Sequence, residues 1–267
     1  MDLDFLIEQV KALALESGEF LRRERLSFDR GKVEQKAAHD YVSYVDKTSE
    51  RRIVTRLQAL LPEAGFVTEE GTASLDGQEY CWVVDPLDGT SNYIHDNAPY
   101  CISIALRNRA EILLGVVYEC CRDELFWAHK DGAAYMNGKE IHVSDQAVLD
   151  QAFIELGFPY NAEAYRDFAL KLVDSLYGHV GGLRLMGAAA AEICYVAAGR
   201  FDARIEGLIG PWDIAAGHII LKQAGGKMTD FSGNPDCLDA REVFVSNGKV
   251  HEEILKVLQT HKKMLKI

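Results

Sequence analysis

Apolar residues recur with a helical period at Leu3, Leu6, Ile7, Val10, Leu13, Ala14, Phe20 and Leu21. They predict an amphipathic helix over residues 3–26 whose outer face is plain charged surface. A short strand is expected at 33–35, then a loop, Lys36-Ala37-Ala38-His39-Asp40. Asp46 opens a second amphipathic helix with Ile53, Val54, Leu57, Leu60 and Leu61 inward and Pro62 as its stop. Residues 65–68 form a short strand ending in Glu69-Glu70-Gly71, and a loop over 72–79 leads into Trp82-Val83-Val84. That apolar run reads as a buried strand, broken off by the turn residues Asp85-Pro86-Leu87-Asp88-Gly89-Thr90.

A short helix follows from Thr90, and Pro99 interrupts the chain. Residues 101–107, 112–119, 124–128 and 133–136 then read as consecutive antiparallel strands, with turn chemistry at Lys130-Asp131-Gly132 and Asn137-Gly138. A further strand region covers 149–157. Beyond it the pattern alternates: helix 162–177, helix 188–198, strand 202–205, helix 211–224, strand 243–245 and helix 250–261. The expectation is an α/β (α+β) chain in two fused parts. Residues 1–150 form an α+β subdomain with an antiparallel sheet, and residues 151–267 an α/β subdomain; no low-complexity linker or repeat divides them.

Composition narrows the function. The 267 residues are 48% hydrophobic, yet no apolar run is long enough to span a bilayer and no basic-then-apolar signal opens the chain. A cytoplasmic protein with no membrane partner is expected. The six cysteines form no CxxC pair and read as core thiols. A formal net charge of −12 makes nucleic acid an unfavourable partner. It would repel a phosphate dianion too, unless bound cations invert the local field.

Acids end a strand or begin a helix at three places: Glu69-Glu70, Asp85 with Asp88, and Trp212-Asp213. Oxygen ligands alone select hard cations, Mg²⁺ before Zn²⁺. Across the Pro turn, Asp85, Asp88 and the Leu87 carbonyl can face one point. Gly89 allows close approach of a phosphate, and the N–H groups of Gly89 and Thr90 open a helix whose dipole favours an anion. The Thr90 hydroxyl can position a water. The bland alternative stands beside this: Asp, Pro and Gly make ordinary turns, and Asp88 can simply cap a helix. Two other phosphatase signatures do not fit. DPLDGT is one residue longer than the haloacid-type DxDGT, and Cys194-x₅-Arg200 lacks a glycine-rich interior. The eight histidines show no ligand spacing.

Taken together, Glu69-Glu70, the run from Trp82 to Tyr93 (WVVDPLDGTSNY) and Pro211-Trp212-Asp213-Ile214-Ala215-Ala216-Gly217 resemble the inositol monophosphatase family. The segment from Asp40 to Lys47 and the Gly225-Gly226 turn extend the likeness over essentially the whole chain. The resemblance implies a layered αβαβα sandwich of the inositol monophosphatase and fructose-1,6-bisphosphatase type. It also implies a lithium-sensitive, Mg²⁺-dependent phosphomonoesterase, usually a homodimer, with two to three ions per site. By position, Glu69, Asp85 and the Leu87 carbonyl would hold one ion. Asp85, Asp88 and Asp213 would hold a second, and Glu69 would border a third. Glu69 and Thr90 would orient the attacking water, with Asp46 bonded to the Thr90 hydroxyl. Asp88, Gly89, Thr90, Gly187, Ala189 and Glu206 would face the substrate, Glu206 through a sugar hydroxyl.

Two departures bear on substrate. Thr68 and Gly71 flank the acidic pair where many members have Gly and Ser, and Ala188 follows Gly187 where a hydroxyl residue is common. The second weakens an inositol assignment more than a phosphatase one. The leading expectation is hydrolysis of myo-inositol monophosphate or a related small polyol or sugar phosphate by metal-activated water. The alternatives are an adenosine 3′,5′-bisphosphate 3′-phosphatase, a fructose-1,6-bisphosphatase, or a metal-binding interaction protein without catalysis.

Overall fold

The computed structural model describes residues 1–37, 40–73, 78–159, 162–238 and 241–265. In chain order the elements begin with α1 (Leu3–Arg25), β1 (Glu34–Ala37), β2 (Asp40–Val42), α2 (Tyr44–Leu60), β3 (Gly65–Thr68), β4 (Tyr80–Asp88) and α3 (Thr90–His95). Next come β5 (Cys101–Asn108), β6 (Ile112–Glu119), β7 (Glu124–His129), β8 (Ala134–Met136) and β9 (Lys139–Glu140). The second half contributes β10 (Phe153–Leu156), α4 (Ala162–Leu176), β11 (Gly182–Arg184), α5 (Ala189–Ala197) and β12 (Ala203–Gly207). It ends with α6 (Pro211–Gln223), β13 (Lys227–Thr229), β14 (Glu242–Ser246) and α7 (His251–His261).

The strands form a seven-stranded sheet in simple chain order, β3 to β9, and a five-stranded sheet ordered β11-β10-β12-β14-β13. Alternation along the strands decides what covers each face. Trp82 and Val84, Ile102, Ile104 and Leu106, and Leu114, Val116 and Tyr118 all point into the core under α1 and α2. Val83, Ala105 and Val117 point the other way, into a core shared with α5 and α6. The inner face of the smaller sheet (Val243, Val245) enters that same core, and its outer face (Ile154, Ala203, Ile205, Phe244) packs on α4 and α7. The stack is therefore helix, sheet, helix, sheet, helix, the αβαβα architecture.

One row of small residues seats α6. Val83, Ala105, Gly115, Ala128 and Ala134 are successive partners across β4 to β8. A Cβ on Gly115 would lie 2.6 Å from the Ala216 carbonyl oxygen and 2.8 Å from its Cα, so the helix backbone rests on the sheet there. Gly115→Ala is expected to cost about 1–3 kcal/mol by overpacking and to shift α6 with the acid at its start. An unchanged melting temperature would refute that seating.

Three details differ from the expectations. The loop read at 36–40 is largely a ladder: β1 and β2 pair antiparallel, while Ala38 and His39 lie outside the described residues. Of the loop read at 72–79, residues 74–77 likewise lie outside them. The second helix starts at Tyr44, two residues before Asp46, because Ser43 is its N-cap. The Ser43 hydroxyl accepts from the Val45 N–H (3.1 Å), and Asp46 accepts from the Ser43 N–H (2.8 Å). The strand begun at Trp82 does not end at Asp85 but pairs with β5 through Asp88.

Candidate functional site

That last correction builds the site. Residues three apart on a regular strand face opposite sides. Here Asp85 pairs with Ser103 and Asp88 with Cys101, so β4 takes three steps where β5 takes two. The extra residue is a β-bulge. Pro86 has no N–H to give the ladder, and the Leu87 N–H is taken by the Asp85 carboxylate at 2.9 Å. Both carboxylates consequently emerge on the face toward α5 and α6.

Asp213 joins them from α6. Pro211 occupies the first turn, and Asp213 Oδ2 accepts from the Gly210 N–H at 2.7 Å, as an acid in the first helical turn does. Ser103 donates to the Trp212 carbonyl at 2.9 Å and ties this helix start to β5. Ligand oxygens of Asp85, Asp88 and Asp213 lie within 4.8 Å of one another. Glu69, just past β3, is close enough to raise the pKa of both Asp85 and Asp213.

Helix α2 holds the remaining segments with one buried face. Asp46 accepts from the Thr90 hydroxyl at 3.0 Å. Ser49 donates to the Pro86 carbonyl at 3.3 Å. Glu50 accepts from the N–H groups of Glu70 (2.8 Å) and Thr72 (2.9 Å), fixing the loop that carries Glu69. Thr90 Oγ1 is also 3.0 Å from the Leu87 carbonyl. A hydroxyl has one proton to give. Donated to Asp46, which also accepts from the Ser43 N–H and hydroxyl, it leaves the Leu87 carbonyl available.

Gly89 adopts φ +89°, and a Cβ there would meet the Pro99 carbonyl at 2.9 Å and Ala188 at 3.1 Å. Only glycine suits that corner. The helix it opens, α3, has no side-chain cap. Asp88 instead serves α5, accepting from Ala189 N–H (3.1 Å) and Ala190 N–H (2.7 Å). Ala189 thus spends its N–H on Asp88, and Gly187 stands beside Asn92, whose amide donates to the carbonyls of Pro99 (2.7 Å) and Met186 (2.8 Å).

Burial and mutual repulsion dominate the electrostatics. Burial pushes Asp85 well above the ordinary carboxylate range, and Glu69, Asp88 and Asp213 push it further. Asp213 is raised well above that range by burial, then by Asp88 and Glu69. Asp88 is raised to about 7, mainly by burial, with the Ala190 N–H and the Cys101 thiol opposing the rise. Carboxylates converging in this way, with Arg204 offsetting the rise at Asp88 only in part, match the donor chemistry of a hard divalent cation.

Asp88 and Asp213 line a cleft of about 440 Å³ together with Gly89, Asn92, Gly187, Arg204 and Glu206. Glu206 thus lies in the same cleft as Asp88 and Asp213. A larger groove of about 650 Å³, lined by Phe20, Arg23, Arg51 and Arg52, carries no converging acids among the described residues. Sequence reasoning missed Ser43, Glu50, Asn92, Glu192 and Arg204, and it treated Cys101 only as a core thiol. Cys101 is buried, but its thiol donates to Asp88 at 3.3 Å. Two signals were available. Asp46 and Glu50 sit at i and i+4 on the face of a helix that also buries Val45, Ile53 and Leu57, and Arg204 alternates with Glu206 on a buried strand.

The whole chain has close relatives. It is 38% identical over 255 residues to a fructose-1,6-bisphosphatase/inositol-1-monophosphatase of Aquifex aeolicus, covering 96% of each chain. It is 36% identical over 253 residues to the Nus factor SuhB of Pseudomonas aeruginosa, covering 93% of each. The solved structure of a Thermotoga maritima IMPase superposes with a TM-score of 0.88 at 32% identity, covering 96% of this chain and 98% of that one. The model of the inositol monophosphatase family matches residues 2–263, a span that contains the bulged Asp85–Asp88 strand, Glu69 and Asp213 alike. With the αβαβα stack and the converging acids in one cleft, the chain belongs to the inositol monophosphatase family.

Proposed function

We propose that this protein is a Mg²⁺-dependent phosphomonoesterase acting on a small polyol monophosphate, with myo-inositol monophosphate as the leading substrate. The observation that carries the reading is the convergence of buried Asp85 and Asp88 with half-buried Asp213 within 4.8 Å, beside a cleft that Asp88 and Asp213 line together with Glu206. Glu69, Asp85 and the Leu87 carbonyl would hold one Mg²⁺, Asp85, Asp88 and Asp213 a second, and Glu69 would border a third. Bound there, the ions supply charge neutralisation for the phosphate and acidify a coordinated water.

The chain's own groups do the rest. Thr90 gives its proton to Asp46, so its lone pairs accept an O–H from the attacking water and orient it with Glu69. The uncapped N–H groups of Gly89 and Thr90 receive the phosphate oxygens, in the corner that a side chain at position 89 would close. Glu206 accepts from a hydroxyl of the leaving group. Phosphoryl transfer needs placement and charge balance more than covalent help, which suits a site with no activated nucleophile.

Bisphosphate substrates fit less well. Among the described residues lining the cleft, Arg204 is the one lysine or arginine, and it is already engaged by Glu155, Glu192 and Glu206. The Nus factor name of some relatives favours a second, non-catalytic reading, in which the chain works by binding another macromolecule. The net charge of −12 argues against nucleic acid in that role. A homodimer belongs to the proposal as well. No helix among the described residues is long and apolar enough to cross a membrane, and a cytoplasmic location is proposed with it.

The test is phosphate release from inositol monophosphates, glycerol 2-phosphate, fructose 1,6-bisphosphate and adenosine 3′,5′-bisphosphate, with Mg²⁺ and with added Li⁺. Mg²⁺-dependent turnover of the polyol monophosphates, suppressed by Li⁺, is expected. No turnover on any of them would leave the binding-protein reading in possession.

A further inference from the structure

Three carboxylates surround one guanidinium at the cleft's floor. Alternation on β12 sends Ala203 and Ile205 into the core under α4 and α7, and sends Arg204 and Glu206 to the opposite side. Glu155, on the neighbouring strand, pairs in register with Arg204, and Glu192 comes from α5. Arg204 Nε donates to Glu192 at 2.9 Å and lies 3.1 Å from Glu155, while Nη2 donates to Glu206. Arg204, Glu155 and Glu192 are each at most 1% exposed; Glu206 is 17% exposed and alone reaches forward.

The cluster extends to the acidic end of the cleft. The second Glu192 oxygen accepts from the Ala188 N–H at 2.9 Å, and the next two N–H groups of that segment go to Asp88. Glu206 also depends on an absent side chain: a Cβ on Gly157 would lie 2.3 Å from its Cδ. Unheld, a carboxylate beside two others would be driven away by like charge. The planar guanidinium fork can bind Glu192 and Glu206 at fixed angles, which a lysine's single ammonium cannot.

We propose that Arg204 is a specificity-setting positioning residue: anchored by Glu155 and Glu192 behind the cleft, it holds Glu206 forward as a charged acceptor for a hydroxyl on the leaving group. The proposal rests on the phosphatase reading and goes beyond it. It makes substrate choice depend on a residue that acts through Glu206. Even with Glu155 protonated, this wall carries one more carboxylate than cation, so it welcomes a hydroxyl donor and disfavours a second phosphate.

The test compares inositol 1-phosphate with p-nitrophenyl phosphate, whose leaving group has no hydroxyl, on the full chain with Mg²⁺. Arg204→Lys should raise KM for inositol 1-phosphate about tenfold with kcat little changed, and leave both constants for p-nitrophenyl phosphate within about twofold. Glu206→Gln should give the same split. The double variant should be no worse than Glu206→Gln alone, because the arginine acts through that acid. Should Arg204→Lys fail to fold, Gly157→Ala decides: it displaces Glu206, leaves every charge in place, and should reproduce the split. Loss of both substrates alike in Arg204→Lys, an additive double variant, or Gly157→Ala with an unchanged KM for inositol 1-phosphate would overturn the proposal. A wild type inactive on both phosphates would overturn the phosphatase reading and this one with it.

Discussion

Asp85→Asn is expected to lower kcat by about 10³-fold or more, roughly 4 kcal/mol of transition-state stabilisation, while making the ion-free protein more stable. The two effects have one cause. Asp85 is 1% exposed and faces Asp88, Asp213 and Glu69. Without cations, that charge is buried among like charges and disfavours the folded state. Asparagine keeps the shape, and its side-chain oxygen can still accept from the Leu87 N–H that closes the bulge. The fold therefore loses a repulsion and no hydrogen bond. Catalysis loses a ligand that both proposed ions share. Relief of about 1–2 kcal/mol would appear as a melting temperature several degrees higher in EDTA at pH 7.5. A wild-type kcat would contradict the ligand role, and a lower melting temperature in EDTA would contradict the electrostatics. Asp213→Asn should behave alike, since an asparagine there can still accept from the Gly210 N–H.

The bulge explains which parts of this molecule were legible beforehand. Helices α1, α2 and α4 are readable because burial of a single face sets their period. Elements β5, β6 and α6, buried on both sides, are readable instead as continuous apolar runs bounded by turn residues or a helix-starting proline. Strands β2, β9, β11 and β13 have two or three residues each and no period to read; they exist because a neighbour offers an edge. Asp85, Asp88 and Asp213 could be picked out as acids at element ends, but the spacing of the first two looked like a turn. Only pairing with β5 shows that an extra residue turns Asp88 to the face of Asp85. The signal for Arg204 was an alternating Arg-Ile-Glu on a strand otherwise buried. Its meaning depended on Glu155 and Glu192, 49 and 12 residues distant in sequence, and no local pattern links them.

Removing Mg²⁺ should give this protein a stability that falls as pH rises from about 5 to 8, the reverse of ordinary salt-bridged carboxylates. In the ion-free chain Asp85 and Asp213 are raised well above the usual range and Asp88 to about 7, from 3.8 in each case. Between those limits the folded state keeps protons that the unfolded chain has released. Stability is fully present below the unfolded pKa and is lost as pH climbs through the folded values, at about 1.4 kcal/mol per pH unit for each extra proton held. Divalent cations invert the dependence, since they bind the deprotonated oxygens and expel the protons. Mg²⁺ should therefore raise the melting temperature far more at pH 8 than at pH 5. Calorimetric titration near pH 6, in two buffers of different ionisation enthalpy, should register proton release on binding. The Asp85→Asn variant isolates the site from other acids, Glu155 among them, and its EDTA melting curve should be flatter with pH than that of the wild type. A wild-type melting temperature in EDTA that rises from pH 5 to 8, or Mg²⁺ binding without proton release, would mean that the acids are not poised against one another as their burial requires.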